Sequence, residues 1–172
     1  RLLEQRRPWG RAAGNVTCVA VLATLAVLTW KQSHVYANVE ALYRATIEGN
    51  PTSWMAHNNL AGALIARGAV DEAIGHAEIA LALKPDYAEA RNNLGLALVS
   101  RGRIDAALGE YQKALELQPE YAEAHNNLGF LLASRGQADE AIAHYRRALE
   151  IDPGLAGAHY NLAEALLAAP DL

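Results

Sequence analysis

Asparagine pairs stand at Asn58–Asn59, Asn92–Asn93 and Asn126–Asn127, and a single Asn161 follows in phase. Asn59, Asn93, Asn127 and Asn161 are each 34 residues apart. A side-chain amide both donates and accepts hydrogen bonds, so a row of amides at one-repeat spacing can grip the backbone of an extended peptide without reading its sequence. Asn is a middling helix former that competes for backbone hydrogen bonds. Its recurrence inside apolar runs such as "AEAHNNLGFLLASRG" therefore needs a reason. Two readings stand open: a polar binding surface, and hydrogen bonds local to each repeat. With Phe130, these seven amides form the candidate peptide-binding set.

Histidines also recur. His57, His125 and His159 fall in phase, as do His76 and His144. Imidazoles can bind metal or move protons. Zinc needs its ligands at about 2.0–2.1 Å, whereas neighbouring packed helices stand roughly 8–10 Å apart. The expectation is that the histidines are packing residues and that no metal is held. No phosphate-binding loop, Ser-His-Asp set or metal motif occurs, so neither a catalytic residue nor a cofactor is expected. The single Cys18 excludes an internal disulfide and any multi-cysteine metal site.

The elements that must position the amides follow from the same period. Gly68, Gly102 and Gly136 recur at the 34-residue step, as do Ala73, Ala107 and Ala141, Ala80, Ala114 and Ala148, and Pro85, Pro119 and Pro153. A period of this length with two helical segments marks a solenoid. In the second unit Ala90, Leu94, Ala97 and Leu98 give a helical stripe, and Gly102 suits the left-handed position that ends it. Asp105 opens the next helix, where its charge meets the positive helix end. That helix carries Ala107, Leu108, Tyr111, Ala114 and Leu115, and Pro119 stops it. Asp86 and Glu89 predict a capping-box variant at the start of the unit.

Leu94, Gly95, Gly102, Ala107, Tyr111, Ala114 and Pro119, with their counterparts in the next unit, make the chain resemble the tetratricopeptide repeat family. The resemblance covers residues 54–172 and extends back to a lone second helix in which Tyr43 and Pro51 fall in phase. It departs where His57, Arg91, His125 and His159 replace a large aromatic. It implies an all-α, right-handed superhelix whose first helices line a concave groove. The groove would hold the amides, as in the similar asparagine ladder of O-GlcNAc transferase repeats. Asn58, Asn92 and Asn126 are the less expected members and point to a polar binding surface. Family members that clamp a peptide carboxylate do so with cations. The matching positions here are Asn58, Gly62, Asn93, Glu123 and Asn127, so that clamp is not expected.

The net charge of −4 is uneven. Arg1, Arg6, Arg7 and Arg11 face Glu4 alone, so the remainder carries −7. A nucleic-acid reader would carry its basic face on the folded part, and none is expected here. Residues 12–30 hold no charge. As a helix they would span about 28 Å, close to the hydrocarbon thickness of a bilayer. Trp9 and Trp30 bracket them, and the arginines precede them. This predicts a transmembrane helix with residue 1 cytoplasmic and the repeats extracytoplasmic, in the periplasm or at the cell surface. The competing readings are a buried helix and a signal peptide cut near "VYA" at 35–37. Asn15-Val16-Thr17 matches a glycosylation sequon but falls at the cytoplasmic edge of that span.

The arrangement of basic flank, span and repeats resembles the C-terminal end of bacterial multi-spanning proteins similar to O-mannosyltransferases. Opening on Arg1, the chain reads as a fragment or a processed product. The expected organisation is a basic flank (1–11), a membrane span (12–30), a half repeat (34–53), full repeats (54–87, 88–121, 122–155) and a final half repeat (156–172).

The leading functional expectation is a non-catalytic, membrane-anchored scaffold that binds a protein or peptide. The alternatives are an accessory domain of a membrane glycosyltransferase and a protomer that polymerises through its ends. In the last case Leu42, Tyr43 and Ile47 of one copy would complete a unit with Leu162 and Leu166 of the next, a head-to-tail contact that builds rings or filaments.

Overall fold

Three glycines set the rhythm of the fold. Gly68, Gly102 and Gly136 have φ of 82°, 71° and 77°, a left-handed conformation that costs a residue without Cβ little. Each closes a first helix. Gly68 N–H donates to Ile65 and Ala69 N–H to Leu64, which satisfies carbonyls the helix leaves open. The same pair of bonds recurs behind Gly102 and Gly136.

In the computed structural model, residues 21–22, 24–25, 27–30 and 39–168 are described. The chain divides into two units, Arg1–Val39 and Glu40–Leu172. In the first, the described residues between 21 and 30 are helical and exposed. The basic flank, most of the predicted span 12–30, the start of the first half repeat and residues 169–172 lie outside the described residues. Among the described residues no helix is long and apolar enough to cross a membrane.

The second unit is a run of helices. They are α1 (39–49, of which 40–49 fall in this unit), α2 (Trp54–Arg67), α3 (Val70–Leu83), α4 (Ala88–Ser100), α5 (Ile104–Leu117), α6 (Ala122–Ser134), α7 (Ala138–Ile151) and α8 (Ala156–Ala168). No strand occurs among the described residues. The second helices, α3, α5 and α7, begin without a side-chain cap but carry Asp71 and Glu72, Asp105, and Asp139 and Glu140 in their first turns. Those charges meet the partial positive charge of the helix start. All three end on a residue driven out of the helical region by the proline that follows: Lys84, Gln118 and Asp152, each extended, precede Pro85, Pro119 and Pro153.

The capping box expected at Asp86 is not formed. The residue at the start of α4 is Tyr87, extended and without a cap bond, and Tyr121 repeats this before α6. The tyrosines are held by contacts to the first helices instead, described below.

Each first helix packs on its own second helix, and each second helix on the next first helix. The first helices also touch one another in succession, α2 to α4 to α6 to α8, while the described second helices do not. Closer spacing on one side curves the stack toward the first helices, which makes theirs the inner face. Small residues permit the approach: Ala73, Ala77, Ala80, Ala107, Ala114, Ala141 and Ala148 have no exposed surface. At Gly95 an added Cβ would stand 2.4 Å from the Tyr111 ring, and at Gly129 2.8 Å from Tyr145.

α1 seals the N-terminal end of this unit. Tyr43 and Ile47 pack against Leu60, Leu64 and Ala73. Buried Glu40 joins Arg67 and Arg44 at 2.8 Å each, and Arg44 reaches Glu72 at 2.6 Å. Between repeats, Arg101 pairs with Asp71 and Arg135 with Asp105.

Candidate functional site

The asparagines are joined across the repeat boundaries. Asn93 Nδ2 donates to Asn58 Oδ1, Asn127 Nδ2 to Asn92 Oδ1 and Asn161 Nδ2 to Asn126 Oδ1, each at 2.9 Å. The second amide of one repeat thus binds the first amide of the repeat before it. Asn58 and Asn92, expected on an open surface, are only 5% and 4% exposed. The tyrosines cover them. Asn58 Nδ2 donates to the Tyr87 hydroxyl at 3.2 Å, and Asn92 lies close enough to Tyr121 to oppose the rise in its hydroxyl pKa. Where Leu155 stands in place of a tyrosine, Asn126 remains half-exposed.

The outer members of the ladder, Asn93, Asn127 and Asn161, are half-buried on the inner face. Each spends one N–H on its neighbour. Its Oδ1 and second N–H make no bond within the protein among the described residues. Among the described residues Asn59 accepts from Asn58 Nδ2, at 3.4 Å. The first amide of each pair thus accepts from the next repeat, and Asn93, Asn127 and Asn161 donate to the repeat before while keeping an acceptor and a donor unused.

Tyr87 and Tyr121 were missed by sequence reasoning, although their 34-residue spacing is visible in it. Burial raises the pKa of both hydroxyls, and nearby carboxylates raise it further: Glu89 for Tyr87, and Glu123 then Glu89 for Tyr121. The tyrosines and carboxylates thus share one electrostatic neighbourhood. Trp54 meets Tyr87 edge-on at 4.7 Å, and the Lys84 amine lies 4.1 Å from the Trp54 ring centre.

The histidines form helix-to-helix latches. His57 Nδ1 lies 2.9 Å from His76 Nδ1, and His125 Nδ1 2.9 Å from His144 Nδ1. The other ring nitrogens of His57 and His125 meet the Pro51 and Pro119 carbonyls at 3.1 and 3.0 Å. A carbonyl only accepts, so Nε2 of His57 and His125 carries the proton. Their neutral Nδ1 must accept, and Nδ1–H of His76 and His144 must donate. Desolvation lowers the pKa of His76, His125 and His144.

At the matching positions of the middle repeat, Arg91 donates to Glu110 and to the Pro85 carbonyl, each at 2.9 Å. Four of the five in-phase histidines thus pack as pairs 19 residues apart, while His159 meets the Pro153 carbonyl at 2.9 Å. Among the described residues no cluster of three or more His, Cys, Asp or Glu side chains could hold a metal.

The inner face ends in a cleft of about 430 Å³ between α6 and α8, lined by Phe130, Tyr160, Asn161 and Glu164 among others. Phe130 and Tyr160 are 52% and 67% exposed. The residues expected at the self-assembly ends divide. Tyr43 and Ile47 pack inside, Leu162 is partly buried against the core, and Leu42 and Leu166 are exposed.

A helical-pair stack of this repeat length defines a class of interaction scaffold, and the comparisons identify it. The tetratricopeptide repeat model matches residues 30–88, 73–118 and 92–156, and the chain belongs to that family. No curated protein sequence matches the chain. Among solved structures it is similar to TTC0263, a thermophilic repeat protein of Thermus thermophilus, at 24% identity and a TM-score of 0.72, over 85% of this chain and 80% of that one. It is similar to YrrB, described as having an unusual peptide-binding site, at 26% identity and a TM-score of 0.59, over 81% and 72%. It is also similar to the first such domain of Spaghetti bound to the HSP90 peptide SRMEEVD, at 20% identity and a TM-score of 0.63, over 68% and 93%.

Proposed function

We propose that this chain is a non-catalytic scaffold that binds an extended peptide segment along the inner face of its repeats. The row of half-exposed Asn93, Asn127 and Asn161 amides carries the reading. Each keeps an acceptor and a donor for a ligand backbone, and each is held in place by the amide of the preceding repeat. Orienting the amides beforehand lowers the entropy lost on binding. The likeness to YrrB and to the peptide-bound domain of Spaghetti supports the same use of the fold.

The test is selection of binders from a random nonapeptide display pool, followed by Asn161→Ala and Asn127→Ala. A neutral hydrogen bond contributes roughly 0.5–1.5 kcal/mol, so each change should weaken the selected peptides about 2- to 10-fold. Asn161→Ala is the cleaner variant, because its partner Asn126 is half-exposed and loses little by being released. Failure to select any binder, or selected peptides indifferent to both changes, overturns the reading.

Membrane attachment through residues 12–30, with the repeats extracytoplasmic, belongs to the same proposal. It is supported by the uncharged run and the arginines before it. Protease added to sealed spheroplasts should digest the repeats; protected repeats would reject that orientation.

A further inference from the structure

Along the inner face the first position of each asparagine pair holds an amide in α2, α4 and α6, but Tyr160 in α8. The change coincides with the cleft. Phe130 and Tyr160 stand at its walls with more than half their surface in water, and Glu164 lies beside them. Glu164 is exposed and forms no ion pair among the described residues. Neither α6 nor α8 contains a Lys or Arg; α7, which adds Tyr145 to the lining, carries Arg146 and Arg147, and Arg147 is paired with Glu120 and Glu150. Glu89 and Glu123, close enough to Tyr121 to raise its pKa, also form no ion pair among the described residues. The cleft is thus aromatic in its walls and negative at its edge.

Resting on the peptide-binding reading above, we propose that this cleft seats an arginine side chain of the bound peptide. Its guanidinium would lie over the Phe130 and Tyr160 rings and pair with Glu164, while the backbone runs on to Asn161 and Asn127. Three considerations select this occupant. A purely apolar side chain would cover the rings but would desolvate Glu164 without a partner. An acidic side chain would meet like charge. A guanidinium is flat, weakly hydrated and always charged, so it satisfies ring face and carboxylate together, which a strongly hydrated ammonium does less well. The chain shows related chemistry at its other end, where Lys84 lies 4.1 Å from the Trp54 ring centre and 5.1 Å from that of Tyr87.

The test uses a fluorescein-labelled Ala-Ser nonapeptide with a central arginine and the same peptide with citrulline, which keeps the shape and removes the charge. Fluorescence anisotropy should show the arginine peptide binding roughly tenfold tighter. Glu164→Gln, a change at an exposed position, should reduce that preference severalfold by weakening the arginine peptide far more than the citrulline peptide. Phe130→Ala should weaken the arginine peptide. Equal affinity of the two peptides for the unaltered chain, or a preference that survives Glu164→Gln, overturns the arginine pocket. If equal binding is accompanied by weakening of both peptides in Asn161→Ala, the peptide-binding face stands and only the pocket falls. If neither peptide binds while the display pool yields binders, the pocket is again rejected alone.

Discussion

The repeats at 54–87 and 88–121 follow the same backbone plan but fill two shared positions in opposite ways. Between their paired helices, the first packs Ala61 and Ala77, both without exposed surface, where the second packs Gly95 against Tyr111. At the open end of the same helix pair, the first sets His57 against His76 and the second Arg91 against Glu110, with the same proline carbonyl as a further partner in each case. The partners differ together. What is held constant is one donor and one acceptor at the rim and, in the interior, an approach close enough that the Tyr111 ring fits only because Gly95 lacks a Cβ. A residue at either position has meaning only with its partner, and a change to one member should be felt as damage unless the other changes with it.

The interior pair gives the largest expected effect. Tyr111 is 1% exposed and fills the space that Gly95 leaves open. Tyr111→Ala should cost about 3–5 kcal/mol, the range for truncating a buried aromatic. Gly95→Ala sets a methyl against the ring and should cost about 1–3 kcal/mol through overpacking, less what is regained from helix propensity. The double change installs the Ala-Ala pair of the first repeat. It should be less damaging than the sum of the two single changes, because the methyl then has the space the ring vacated. Urea denaturation of the four proteins measures this directly. Strict additivity would show that the two residues do not share one packing site, and the comparison of repeats would lose its basis.

The helix boundaries and the small-residue contacts were legible in the sequence because each has a local cause. Gly102 must adopt positive φ, Pro119 must end α5, and the alanines recur wherever two helices approach. Asp86 misled because a capping pattern competes with what the preceding tyrosine can do. Tyr87 finds Asn58 and Trp54 across the repeat, and the start of α4 forms without a side-chain cap. The asparagine row was visible, but its division into covered and open amides was not. That division depends on which amide the neighbouring tyrosine covers, a contact 29 residues away in sequence. The histidine pairs were hidden for a different reason. Each histidine was weighed against its own phase, whereas the informative relation is between positions 19 apart, where His-His alternates with Arg-Glu.

The latch gives the smaller effect and separates the repeats by pH. His76 is pushed down by burial and by His57, with Glu72 opposing and Arg44 reinforcing the shift. His144 is lowered by burial and by His125, with Glu140 opposing. His125 is lowered by burial and by Arg147, with the Pro119 carbonyl opposing. A lowered folded pKa means that the unfolded chain binds more protons. The stability these groups contribute is therefore complete above the ordinary histidine value of about 6.5 and is lost as the pH falls from there through the lowered folded values. The corresponding Arg91–Glu110 latch contains no histidine.

Acidification from pH 7 to 5 should thus loosen α2 from α3 and α6 from α7 while sparing α4 and α5. The expected cost is on the order of 1 kcal/mol per latch, the worth of one hydrogen bond. Replacing His57 and His76 by Arg and Glu, and His125 and His144 likewise, gives all three repeats the middle repeat's latch. The urea midpoint of that variant should be nearly flat between pH 5 and 7, whereas the parent's falls. Hydrogen exchange should place the parent's loss in the two histidine-latched pairs. An unchanged slope in the variant would mean that the histidines titrate without opening the helices. The two kinds of latch would then be interchangeable at every pH, and the alternation along the stack would have no consequence for stability.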